Sequence, residues 1–111
     1  MALQVGLLTF GNVAIVRWDL VTYSNVEDIV SAINSDKFPA GKGNTNLYDG
    51  LYRMRTELLS PDRGSRPGVP HIAIVITDGH ATRNEHLTLP EAKRCWDTGI
   101  QVLSVYSVFR R

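Results

Sequence analysis

A chain of 111 residues has room for one domain and one hydrophobic core, not two. Its 43% hydrophobic and 21% charged residues are ordinary for a globular protein, and a net charge of +1 without a Lys/Arg cluster argues against a broad nucleic-acid footprint. The single cysteine, Cys95, excludes an intrachain disulfide and a cysteine-zinc cluster, and no apolar run approaches the ~20 residues that a membrane span needs.

The opening MALQVGLLTF lacks a basic segment ahead of its apolar run, so it reads as a strand and not as a signal peptide. Leu3–Phe10 is apolar on both faces, which suits an interior strand, and Gly11-Asn12 predicts a two-residue hairpin turn. In Val13–Leu20 the set Ala14, Val16, Trp18 and Leu20 alternates with Val13, Ile15, Arg17 and Asp19, the pattern of a half-exposed edge strand. Ser24-Asn25-Val26-Glu27 is a capping-box sequence, and Val26, Ile29, Val30 and Ile33 supply the apolar face of the helix it opens.

Residues 39–46 (PAGKGNTN) are too rich in Gly and Pro for regular structure, and a second amphipathic helix follows with Leu47, Leu51, Met54 and Leu58 on its buried side. Residues 60–70 (SPDRGSRPGVP) form a polar connection. His71–Gly79 (HIAIVITDG) is the stretch around which the chain is organised. Its continuous apolar run, bounded by Pro70 and Gly79, predicts a strand buried on both faces. After a polar loop over 81–86, Thr88-Leu89-Pro90-Glu91 is a second capping box. Leu89, Ala92, Cys95 and Trp96 form the stripe of a helix stopped by Gly99. Cys95 reads as a small buried hydrophobe, and Trp18, Trp96 and Tyr106 as core aromatics. A last strand covers Ile100–Val108, so the order is β-β-α-α-β-α-β and the fold class is α/β.

Asp78 lies past the carboxyl end of the central strand, where open α/β sheets bind ligands, although Asp-Gly is also a common turn dipeptide. Thr45 opens a helix after a Gly-rich loop, where an N-cap role would by itself explain it. Together, a hydroxyl and a carboxylate from two loops could supply oxygen ligands to Mg²⁺. A weaker set, Asp78, His80 and His86, would serve a metal-dependent hydrolase, which needs further ligands. Gly41-Lys42-Gly43 does not match a phosphate-binding loop, and no G-x-S-x-G is present.

VGLLTFGNVAIV, GKGNTNLYDGL, the VITDG strand end and LPEAKRCWDTGIQVLSVYSV together resemble a von Willebrand factor type A domain, closest to those of matrilins and type VI-like collagens. The resemblance implies a Rossmann-like three-layer fold, covers nearly the whole of residues 1–111 as a single partial domain, and implies an extracellular adhesion or assembly module and not an enzyme. It implies a metal-ion-dependent adhesion site, with Thr45 as a neutral oxygen ligand and Asp78 as a direct or water-bridged carboxylate. In the family, Mg²⁺ there takes an acidic group of a partner, often a collagen. The family's Asp-x-Ser-x-Ser motif is absent, so Mg²⁺ is expected to bind weakly or not at all.

The resemblance further implies that the chain starts at the family's second strand and ends after its fifth. The strands at Leu3–Phe10 and His71–Thr77 must then pair directly, leave a gap or borrow a strand, and their open edges invite self-association. A metal-independent protein-interaction module is the alternative reading.

Overall fold

In the computed structural model, residues 3–35, 45–77 and 83–106 are described, Val105 and Tyr106 by backbone alone. The order of elements is the expected one. Strands β1 (Leu7–Phe10) and β2 (Ala14–Trp18) precede helix α1 (Val26–Ser35). Helix α2 (Leu47–Arg53) runs on into a π-helical turn (Met54–Leu58). Strand β3 (His71–Thr77), helix α3 (Glu85–Asp97) and strand β4 (Ile100–Tyr106) follow. The fold is α/β.

The strands form two separate two-stranded sheets, β1 with β2 and β3 with β4. The front hairpin is antiparallel and pairs Phe10 with Ala14, so its turn has three residues, Gly11, Asn12 and Val13, and not two. Gly11 N–H donates to the Val13 carbonyl across that turn. In β2 the expected alternation holds: Ala14 and Trp18 are buried while Ile15 and Arg17 face outward. β3 and β4 are parallel, in register from His71 beside Ile100 to Thr77 beside Tyr106, with α3 as the crossover. Among the described residues β1 and β3 share no ladder, so these two strands do not pair directly.

One core joins the two sheets. Leu51, Met54, Cys95 and Ile100 are buried together, with Leu8 of β1, Ala73 and Val75 of β3 and Val102 of β4 packed against them. The side of α2 read from the sequence is therefore the side it buries, through Leu51, Met54 and Leu58. Gly50 lies at a close approach there. A Cβ would lie 3.2 Å from the Phe10 ring, so a side chain at this position would require the ring to shift by a few tenths of an ångström. A second cluster sits on the opposite face of the hairpin. Trp18, Ile29 and Ala32 are buried with Val5, Leu7 and Tyr23 around them, and the Tyr23 ring meets Trp18 edge-on at 4.9 Å.

Several local expectations shift. β3 is not buried on both faces: Ile72, Ile74 and Ile76 are 56%, 64% and 69% exposed, because α2 and α3 cover only the side carrying Ala73 and Val75. The cap of α1 is Asn25 and not Ser24. Asn25 Oδ1 accepts from the Asp28 N–H at 2.9 Å, and its Nδ2 donates to Asp28 Oδ2 at 2.9 Å, a reciprocal pair one residue later than the capping box in the sequence. The face of α1 rotates with it, burying Ile29 and Ala32 and leaving Val26, Val30 and Ile33 exposed. Helix α3 begins at Glu85, three residues before Thr88, so Pro90 lies inside the helix. Pro90 is still close enough to the N-terminus that only one intrahelical hydrogen bond is lost. Its buried face holds Glu91 and Cys95, whereas Leu89 and Trp96 are 79% and 72% exposed, so Trp96 is not a core residue. Gly99 ends this helix as expected, with a left-handed φ of 86°.

Candidate functional site

The turn after β1 and the segment entering α3 are both tied to the start of α2. Asn46, 4% exposed, is the N-cap of α2: its Oδ1 accepts from the Asp49 N–H at 3.1 Å. The Asn46 backbone N–H donates to the Gly11 carbonyl at 2.8 Å and its Nδ2 to the Asn12 carbonyl at 3.1 Å. Asp49 completes the clamp, since its Oδ2 accepts from the Ala14 N–H at 2.6 Å. The Arg53 guanidinium, four residues on, contacts the same oxygen at 3.4 Å. The turn of the front hairpin is thus held to the first turn of α2 by three hydrogen bonds.

Thr45 precedes this clamp and is half-buried. Because Asn46 caps the helix, the capping role that would have explained Thr45 belongs to its neighbour. The Thr45 carbonyl accepts from the Arg83 N–H at 3.2 Å, which ties the loop before α2 to the segment entering α3. Asp78, the other expected ligand, lies outside the described residues, as does His80. His86 stands exposed in the first turn of α3. Among the described residues no three His, Cys, Asp or Glu side chains converge on a point where a cation could sit. Thr45 brings one neutral oxygen and Asp78 would bring one carboxylate, far short of the six oxygens around Mg²⁺ unless water supplies the rest.

Below the clamp, the helices are joined by a buried carboxylate. Glu91, 1% exposed, accepts from Arg55 Nε at 2.6 Å and from Arg94 Nη1 at 3.2 Å. The hydrogen bond to Glu91 raises the pKa of Arg55 and holds it charged. Arg55 also lies 5.7 Å over the Tyr52 ring, which stacks on Tyr48. Burial pushes the Cys95 thiol up, helped by the charge of Glu91, so Cys95 is an inert core residue, as its neighbours in the sequence suggested.

Sequence reasoning identified Thr45 but not Asn46, Asp49 or Glu91. Asn46-Leu47-Tyr48-Asp49 has the spacing of a cap followed by an acid three residues on, so the local half of the clamp was readable. The Asp49 carboxylate turns to Ala14 instead of back to Asn46, and nothing local to α2 specifies that.

The von Willebrand factor type A domain family matches residues 1–106. The chain belongs to this family. The human collagen alpha-1(XX) chain is 29% identical over 102 residues, which cover 92% of this chain and 8% of that protein. Human integrin alpha-10 is 30% identical over 108 residues, covering 94% of this chain and 9% of the integrin. Among solved structures, proximal thread matrix protein 1 from the mussel byssus, in a form with a zinc-occupied MIDAS motif, superposes with a TM-score of 0.84 at 25% identity, covering 96% of this chain and 27% of that one. This type A domain chain therefore spans about a quarter or less of the length of each of these relatives.

Proposed function

We propose that the chain is a protein-binding module of an extracellular adhesion or matrix assembly, and that it binds without catalysing a reaction. The observation that carries this reading is its family membership across residues 1–106, with a matrix collagen and an integrin among its relatives. The partner class that fits is a matrix protein, collagen being the first candidate. Within that reading, Thr45 and Asp78 are the residues assigned to the metal-dependent contact. The tie between Thr45 and Arg83 supports the assignment, because it holds the Thr45 loop to a residue five positions after Asp78 in the sequence. Without an Asp-x-Ser-x-Ser motif in the sequence, the cation is Mg²⁺ at low affinity or none.

The test is binding to immobilised fibrillar collagen, measured with 10 mM Mg²⁺ or EDTA (about the ceiling for a weak divalent site), together with Asp78→Ala. Binding weakened by both EDTA and Asp78→Ala supports the metal-dependent contact. Binding indifferent to both assigns recognition to a metal-independent surface, a second reading favoured by the exposed apolar residues of α1 and β3. No binding to any matrix protein removes the adhesion reading. Mg²⁺ near its own dissociation constant stabilises by only about 0.4 kcal/mol, so a rise in Tm of more than about 3 °C would contradict low affinity. The hydrolase reading has no supporting geometry among the described residues, where His86 joins no cluster of acids and imidazoles.

A further inference from the structure

One peptide bond sits between three segments of the chain. The Asn46 N–H donates to the Gly11 carbonyl at 2.8 Å, and the Thr45 carbonyl of the same peptide accepts from the Arg83 N–H at 3.2 Å. In a trans peptide these two groups point to opposite sides, so the plane is held between the turn of the front hairpin and the segment entering α3. Holding that plane fixes the position and direction from which the Thr45 side chain leaves the backbone.

Asn46 is the residue that holds it. Asn46 is buried, and beyond its N–H each of its other polar groups has a partner. Its carbonyl accepts from the Gly50 N–H at 3.2 Å, its Oδ1 accepts from the Asp49 N–H at 3.1 Å, and its Nδ2 donates to the Asn12 carbonyl at 3.1 Å. Capping α2 needs the side-chain oxygen alone, and Ser, Thr or Asp would supply it. The bond from Nδ2 to Asn12 is no part of a cap. It requires an amide donor beside the capping acceptor on one short side chain, which is the chemistry of Asn. A buried polar group whose bonds are all made rigidifies what it touches. Asp49 closes the same ring by accepting from the Ala14 N–H at 2.6 Å.

We infer that Asn46 is a positioning residue for the partner contact made by Thr45, locking the Thr45–Asn46 peptide to the hairpin turn in addition to capping α2. The inference rests on the adhesion reading of Thr45. Asn46→Ser separates the two roles, because serine keeps a capping oxygen and loses the amide donor to Asn12. Asn25→Ser is the control: it makes the same change at the cap of α1, where the side chain bonds to Asp28. Thr45→Ala marks the contact itself.

Two readouts on the full chain test it: binding to immobilised fibrillar collagen, and amide hydrogen exchange followed by NMR. Thr45→Ala and Asn46→Ser should each weaken binding at least about tenfold, as losing a group that orients a contact residue does, and Asn25→Ser should leave it unchanged. In Asn46→Ser the Arg83 N–H should exchange at least about fivefold faster, the worth of one hydrogen bond. The Leu59 N–H, bonded to the Met54 carbonyl at 3.0 Å, should keep its rate. A wild type that does not bind, or a Thr45→Ala chain that binds as the wild type does, overturns the adhesion reading and the positioning role with it. Binding lost in Thr45→Ala but kept in Asn46→Ser overturns the positioning role alone. So does an Asn25→Ser chain weakened as much as Asn46→Ser, or an Arg83 rate in Asn46→Ser that rises no more than that of Leu59, which would leave Asn46 a cap and nothing else.

Discussion

Replacing Arg55, in the π-helical turn that continues α2, by Met should destabilise the fold. Arg55 is 22% exposed in its side chain and donates the short hydrogen bond to Glu91, which is 1% exposed. Stranding a buried carboxylate costs about 3–5 kcal/mol. Here Arg94 remains at 3.2 Å, but its side chain is 58% exposed and its field is screened, so the loss falls at about 3 kcal/mol. For a domain of this size that is a fall in Tm of about 12 °C, or about 2 M in the urea midpoint.

Glu91→Leu should cost only about 1 kcal/mol, since Arg55 can reach water and keeps the Tyr52 ring. The double variant, apolar on both sides, should lie within about 1 kcal/mol of the wild type, giving a coupling energy near 3 kcal/mol in a double-mutant cycle followed by urea unfolding. Additive single effects, with the double variant about 4 kcal/mol down, would refute the reasoning and assign the loss to packing.

Asn46→Ala removes the α2 cap and the bond to the Asn12 carbonyl together, and should cost about 2 kcal/mol, while Asn46→Asp, which keeps the cap acceptor, should cost less; thermal melts of the two variants check this. Asp19 is held below its ordinary value of 3.8, first by the Val21 N–H and then by the Thr22 hydroxyl. A carboxyl lowered in the folded state stabilises it above the unfolded pKa and loses that contribution as pH falls through the folded one. Asp19→Asn should therefore lower Tm at pH 7 and converge with the wild type at about pH 2; a gap in Tm that stays constant with pH would contradict the assignment.

The elements of this protein were largely legible in its sequence, and the reason is local. The strand period of Ala14–Trp18, the i, i+4, i+7, i+11 spacing of Leu47, Leu51, Met54 and Leu58, and the stop at Gly99 each depend on a few neighbouring residues. The order β-β-α-α-β-α-β follows from them, and with it the α/β class. Of the candidate site, Thr45 is named by its sequence context, and the Asn46 cap was available from its place before a helix. Asp78 is named by its sequence context alone.

What the tertiary structure decided is which side of each element finds a neighbour. Periodicity marks an apolar stripe but not the direction from which it will be covered. Asn25 took the cap of α1 and the helix buried Ile29 and Ala32, not Val26, Val30 and Ile33. Helix α3 turned Glu91 inward because Arg55 was there to meet it, and left Leu89 and Trp96 in solvent. The run from Ile72 to Ile76 carries the composition of a strand covered twice, yet among the described residues only the Ala73 and Val75 side is packed against the core. Composition records how much a strand can bury, and only the assembled layers determine how much of it is buried.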